Sequence, residues 1–95
     1  MTPKPPKTLS VAAKKLWRAI AQELELDAGG FLMLNLLVEA WDRREQARQN
    51  INKTGAVLKD RFGQEKPSPW TAIERDATLS IQRSFRALGL DLEEK

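Results

Sequence analysis

The sequence predicts a mainly α-helical protein: three helices, one short and two long, with a small β-hairpin between the second and third. Three observations carry this. Apolar residues recur at helical spacing near 9–26, 31–52 and 69–88. Between the last two segments, "AVLKDRFGQEK" sets short β-prone runs on either side of a charged turn. Pro67 and Pro69 then stand two residues apart, directly before the third periodic segment.

"MTPKPPKT" precedes the first helix. Pro3, Pro5 and Pro6 favour extended backbone and cannot donate helical hydrogen bonds, so residues 1–8 read as a mobile basic arm. Ser10 suits an N-cap, because its hydroxyl can accept from an otherwise unpaired backbone N–H. Ala13, Leu16, Trp17, Ile20 and Leu24 follow on one face, with Lys14, Lys15 and Arg18 largely off it.

Asp27 is a cap for the second helix, whose start falls between Asp27 and Phe31. In "FLMLNLLV" seven of eight positions are apolar, more than one helix face holds. Either a partner subunit or helices one and three of the same chain must cover them. Candidate subunit contacts are Phe31, Leu32, Leu34, Leu36, Leu37 and Trp41, with Phe62 and Trp70 further on. The second half, "DRREQARQNINK", is mostly polar; Arg43, Arg44 and Arg48 read either as partners of nearby acids or as phosphate contacts. Gly55 is placed to close this helix in the left-handed conformation.

Asp60 and Gly63 suit the first and fourth positions of a type I turn, and Gly63 also suits the left-handed position of a bulged hairpin loop. Strands are expected near 57–59 and 64–66. Pro67 ends the second strand, and Pro69 holds Ser68 in the extended conformation that an N-cap needs. Pro69 itself fits the first position of helix three, where its missing N–H costs nothing. Trp70, Ile73, Ala77, Ile81, Ser84, Phe85 and Leu88 form the apolar stripe of that helix, and Gly89 with Leu90 suits a Schellman closure. The organisation expected is therefore an arm over 1–8, one helical domain over 9–92 with its hairpin near 56–67, and a frayed tail over 93–95.

The chain has no cysteine and no histidine, which excludes disulfides, thiolate metal sites and histidine-based catalysis. Glu39, Asp42 and Glu45 recur at spacings of three, but no histidine completes a ligand set and Arg43 and Arg44 sit beside them. No phosphate-cradling glycine loop is present. No catalytic residue, metal or cofactor is expected, and the protein does not read as an enzyme. "FLMLNLLVEAW" is too short to span a bilayer, so a cytosolic protein without membrane contact is expected. The turn "ELDAGG" could join a helix-turn-helix, but a helix opening "FLMLNLLV" is too apolar for a major groove.

Charge is unevenly placed. Residues 1–22 hold Lys4, Lys7, Lys14, Lys15 and Arg18 and no acid, for +5; the remaining 11 basic and 13 acidic residues give −2. A basic end on a near-neutral body suits an anionic partner. By charge placement, the candidate DNA contacts are these five, then Arg43, Arg44 and Arg48, then Lys59 and Arg61 at the hairpin.

The order "LSVAAKKLWRAIAQELEL", "LNLLVEAWDRREQA", "DRFGQEKPSPW", "AIERDATLSIQRSFRALGLD" resembles the phage terminase small subunit family over residues 6–92. The most specific part is "GQEKPSP", followed by a helix ending "LGL". The resemblance implies a non-enzymatic packaging factor in the cytoplasm of a bacterial host. Such a factor binds phage DNA near the packaging start, assembles into a ring, and recruits or regulates the large ATPase and nuclease subunit. The rival reading is a small dimeric DNA-binding regulator, repressor or antitoxin-like.

Overall fold

The computed structural model describes residues 3–90; the tail expected over 93–95 lies outside them. The order is α1 (Val11–Glu23), α2 (Ala28–Thr54), β1 (Val57–Lys59), β2 (Glu65–Pro67) and α3 (Pro69–Leu88). This is the mainly α architecture expected, with a two-stranded antiparallel hairpin between α2 and α3.

Each boundary has a local cause. Ser10 caps α1, its hydroxyl accepting from the Ala13 N–H at 3.1 Å. Asp27 caps α2, its carboxylate accepting from the Gly30 N–H at 2.7 Å. Gly30 lies close to Leu26: a Cβ there would meet Leu26 Cδ2 at 3.0 Å and Leu26 Cβ at 3.1 Å, so Leu26 would have to give by a few tenths of an ångström. Helix α1 stops before Leu24, which is extended although its N–H still donates to the Ile20 carbonyl. The helix is thus shorter than the apolar stripe, because the chain must turn to bring Leu26 under α2.

Gly55 departs from the expected closure. Its φ of 89° is positive, but its ψ of 160° is extended rather than left-handed helical, so α2 passes straight toward β1. The turn at 60–63 forms as expected. The Gly63 N–H donates to the Asp60 carbonyl at 3.0 Å, and Gly63 takes a φ of 80°. The Asp60 side chain accepts from the Phe62 and Gln64 N–H groups, fixing the loop. The second strand runs one residue later than expected, because Pro67 enters it opposite Val57. At that position the ladder does not require the missing N–H. Ser68 caps α3, Pro69 opens it, and Gly89 closes it left-handed with the Leu90 N–H donating to the Phe85 carbonyl at 2.8 Å.

Both α1 and α3 pack on α2. Leu9, Ala13, Trp17 and Ile20 meet Leu34, Leu37 and Val38 in the core, with Phe85, Leu88 and Leu90 packed against it. Much of "FLMLNLLV" is therefore covered from within the chain. Beyond Asp42, α2 pairs with the first half of α3, where the buried small residues Ala47 and Ala77 allow close approach.

Candidate nucleic-acid interface

Helix α1 is fixed to α2 by polar contacts at both its start and its middle. The Asp42 carboxylate accepts from the Ser10 N–H at 2.8 Å and from the Ser10 hydroxyl at 2.7 Å. One carboxylate thus serves the backbone at the start of α1 and orients the hydroxyl that caps it. A negative charge there also suits the positive end of the helix dipole. Two turns on, the Trp17 indole N–H donates to the Asn35 side-chain oxygen at 2.8 Å. The ring of Phe31 stacks on Trp17 with centroids 5.8 Å apart.

Beside this anchored face, a flank of α1 borders a groove. There Lys14 and Arg18, one turn apart, face a groove of about 690 Å³ whose other wall carries Lys4 and Lys7. Phe31 and the edge of the buried Trp17 also line it, and no carboxylate does. Leu9, buried in the core, pins the segment carrying the two lysines. Four cations line this groove with no carboxylate among them, which gives it a positive field. Lys15 is exposed on α1 but does not line this groove.

The α2 arginines have a different setting. Arg44 donates from Nε to the Thr78 hydroxyl at 3.0 Å and pairs with Glu45 at 3.3 Å. Arg48 pairs with Glu74 at 3.6 Å. Both thus reach across to α3. Arg43 is exposed, in a second groove of about 670 Å³ that also holds Glu39, Asp42 and Glu45. Its field is offset by these acids. Lys59 and Arg61 are exposed on the hairpin, with the Arg61 guanidinium 5.5 Å from the centre of the Phe62 ring.

The candidate subunit contacts divide as sharply. Leu34 and Leu37 are buried in the core, and Phe31 and Trp41 are packed against it. Trp70 is half-buried at the start of α3. Leu32, Leu36 and Phe62 remain open, at 61%, 49% and 77% exposure.

Two features escape a reading of the sequence. Asp42 reads there as part of an acidic cluster, yet it clasps α1. Asn35 interrupts an apolar run and is the one local signal that a buried donor awaits it. Among the described residues, no three or more histidine, cysteine, aspartate or glutamate side chains are grouped to hold a metal ion. Among the same residues, no helix is long and apolar enough to cross a membrane.

Residues 13–95 match the family of phage terminase small subunits. This chain belongs to that family. A terminase small subunit has a role in phage genome packaging, generally as a non-catalytic partner. The match takes in Lys14, Lys15 and Arg18 and begins after Lys4 and Lys7. Neither a curated protein nor a solved structure matches the chain.

Proposed function

We propose that this terminase small subunit binds viral DNA along the α1 groove, assembles with copies of itself, and recruits or regulates the large packaging subunit in the host cytoplasm. The observation that carries the DNA part is the grouping of Lys4, Lys7, Lys14 and Arg18 around one groove free of carboxylates. Where lysine and arginine meet phosphate they neutralise it without reading sequence, which suits a surface that holds DNA in place. Assembly into a ring is supported by the open leucines Leu32 and Leu36 on α2, which the chain leaves uncovered.

Fluorescence anisotropy with a labelled duplex tests the DNA reading. Lys14→Ala with Arg18→Ala should weaken binding at least tenfold. Arg44→Ala, outside the groove, should alter it less than threefold. Equal losses in the two variants would remove the groove from the account. Native mass spectrometry tests assembly: a multimer is expected, and a monomer at high micromolar concentration would sink that part.

A further inference from the structure

We propose that neighbouring copies join head to tail, with the outward seam of α2 in one copy packed antiparallel on the outward ridge of α3 in the next. This rests on the assembly proposed above and deepens it by naming the two surfaces and their orientation; it is independent of DNA binding.

The two surfaces share one spacing. Leu32, Leu36, Glu39, Arg43 and Gln46 recur at alternating steps of four and three along α2, which brings them onto a single stripe. Packing within the chain leaves this stripe open: Leu32 is 61% and Leu36 49% exposed, and Arg43 and Gln46 are exposed. On α3, Ala72, Asp76, Leu79, Arg83 and Arg86 repeat the same steps. Ala77 and Ser84 are buried on the opposite side of that helix, so the ridge looks away from α2. Leu79 stands 43% exposed within it. None of these residues lines the α1 groove.

Charge selects the partner and the direction. Laid antiparallel, Leu36 meets the stem of Arg83, Glu39 meets Leu79, and Arg43 meets Asp76. Leu36 and Leu79 are then adjacent across the seam, and the Arg83 head reaches Glu39. Among the described residues, Glu39, Arg43 and Arg83 have no ion-pair partner within the chain. The Arg43–Asp76 pair lies at the exposed rim and contributes little, since Asp76 already has Arg75 beside it. Laid parallel, the same surfaces would set Arg43 against Arg83 or Arg86. Laid on its own copy, the α2 seam would set Glu39 against Glu39. Symmetry makes the same choice. Within the chain α2 and α3 run antiparallel, as Arg44 with Thr78 and Arg48 with Glu74 show. An antiparallel contact between copies therefore leaves every α2 pointing the same way, which rotation about a ring axis along the helices requires. The seam stands about 90° round α2 from Arg44 and Ala47, which meet α3, so successive copies turn instead of running straight. The groove of about 670 Å³ beside Glu39, Arg43 and Gln46 leaves room for the neighbour's α3.

The chain contains no cysteine, so introduced ones report this contact cleanly. Gln46 and Ala72 fall opposite one another in the pairing and carry none of its charges or leucines. In the full chain, Gln46→Cys with Ala72→Cys should give a ladder of disulfide-linked chains beyond the dimer under mild oxidation. It should form at least tenfold faster than either substitution alone gives a linked pair, because only a head-to-tail contact links each copy to two others. Adding Glu39→Arg should slow the ladder at least tenfold, and adding Arg83→Glu as well should restore it. That restoration separates a lost contact from a lost fold. Linkage that stops at the dimer, or that is as fast with one cysteine, overturns the proposal. So does a rate indifferent to Glu39→Arg, or one that Arg83→Glu does not recover. If native mass spectrometry still shows a multimer in any of these cases, this contact fails while the assembly reading stands; a monomer sinks both.

Discussion

Replacing Asp42 by alanine removes the two bonds that tie α2 to the start of α1 while leaving the apolar core intact. Hydrogen bonds to charged groups contribute about 1.5–3 kcal/mol each. Here both acceptors sit on one partly exposed carboxylate, and water can replace part of what is lost. The two bonds together should therefore contribute about 2 kcal/mol, less than the sum of two such bonds. For a domain of this size that corresponds to a fall in Tm of roughly 8–16 °C. Ser10→Ala removes the hydroxyl bond and the cap on Ala13 but keeps the backbone bond, at about 1–2 kcal/mol. Because both substitutions break the same hydroxyl–carboxylate bond, the double variant should lose less than the sum, with a coupling of at least about 0.5 kcal/mol. Urea unfolding followed by circular dichroism, at one chain concentration throughout, measures all three. Asp76→Ala is the reference, since Asp76 is exposed beside Arg75 and should change stability by less than about 0.5 kcal/mol. An Asp42→Ala variant as stable as Asp76→Ala, or strictly additive losses, would refute the clasp.

Three further outcomes follow from named contacts. Trp17→Phe leaves the Asn35 oxygen without its donor and should cost about 1–3 kcal/mol in urea unfolding, part of which Asn35→Leu in the same chain should restore. Gly89→Ala meets no atom within 4 Å but must hold a φ of 76°, so a purely backbone loss of about 1 kcal/mol is expected from thermal melts. For DNA, four groove cations imply a slope of log affinity against log salt near −3.6, at about −0.9 per phosphate contact. Replacing Lys14 and Arg18 should flatten the slope by about 1.8, and titrations from 50 to 200 mM salt read it directly.

What was legible in the sequence was local. Ser10, Asp60 with Gly63, Ser68 with Pro69, and Gly89 each act on backbone groups within a few residues, so their types alone predict the caps and the turn. The hairpin and the three helices followed from these and from periodicity. The partners of side chains far apart in sequence were not legible. Ser10 and Asp42 are 32 positions apart, and Arg44 and Thr78 are 34 apart. Charge placement alone could not separate arginines held against α3 from cations left open on α1. The same limit applied to "FLMLNLLV": period 3.6 groups Leu34 with Leu37 and Val38, but only the docking of α1 and α3 decides which leucines turn outward. The groove itself needed Leu9 as an anchor, and nothing next to Leu9 in the sequence marks it as one.

If the groove binds an anion as proposed, the clasp at Asp42 also bears on its affinity. The groove is built from the segment before α1, from α1 itself and from Phe31, so it exists only while α1 is docked. An anion that binds the docked state alone has its affinity scaled by the fraction of molecules in which α1 is seated. In a stable chain that fraction is near one, and the clasp has no visible effect on binding. Once α1 is loosened so that half the molecules are undocked, apparent affinity halves, although every groove cation is still present. Bound anion in turn holds α1 down, raising its resistance to unfolding by the logarithm of ligand concentration over Kd. A carboxylate outside the groove would thus change occupancy of the proposed site only where α1 is already loosened, through population rather than contact.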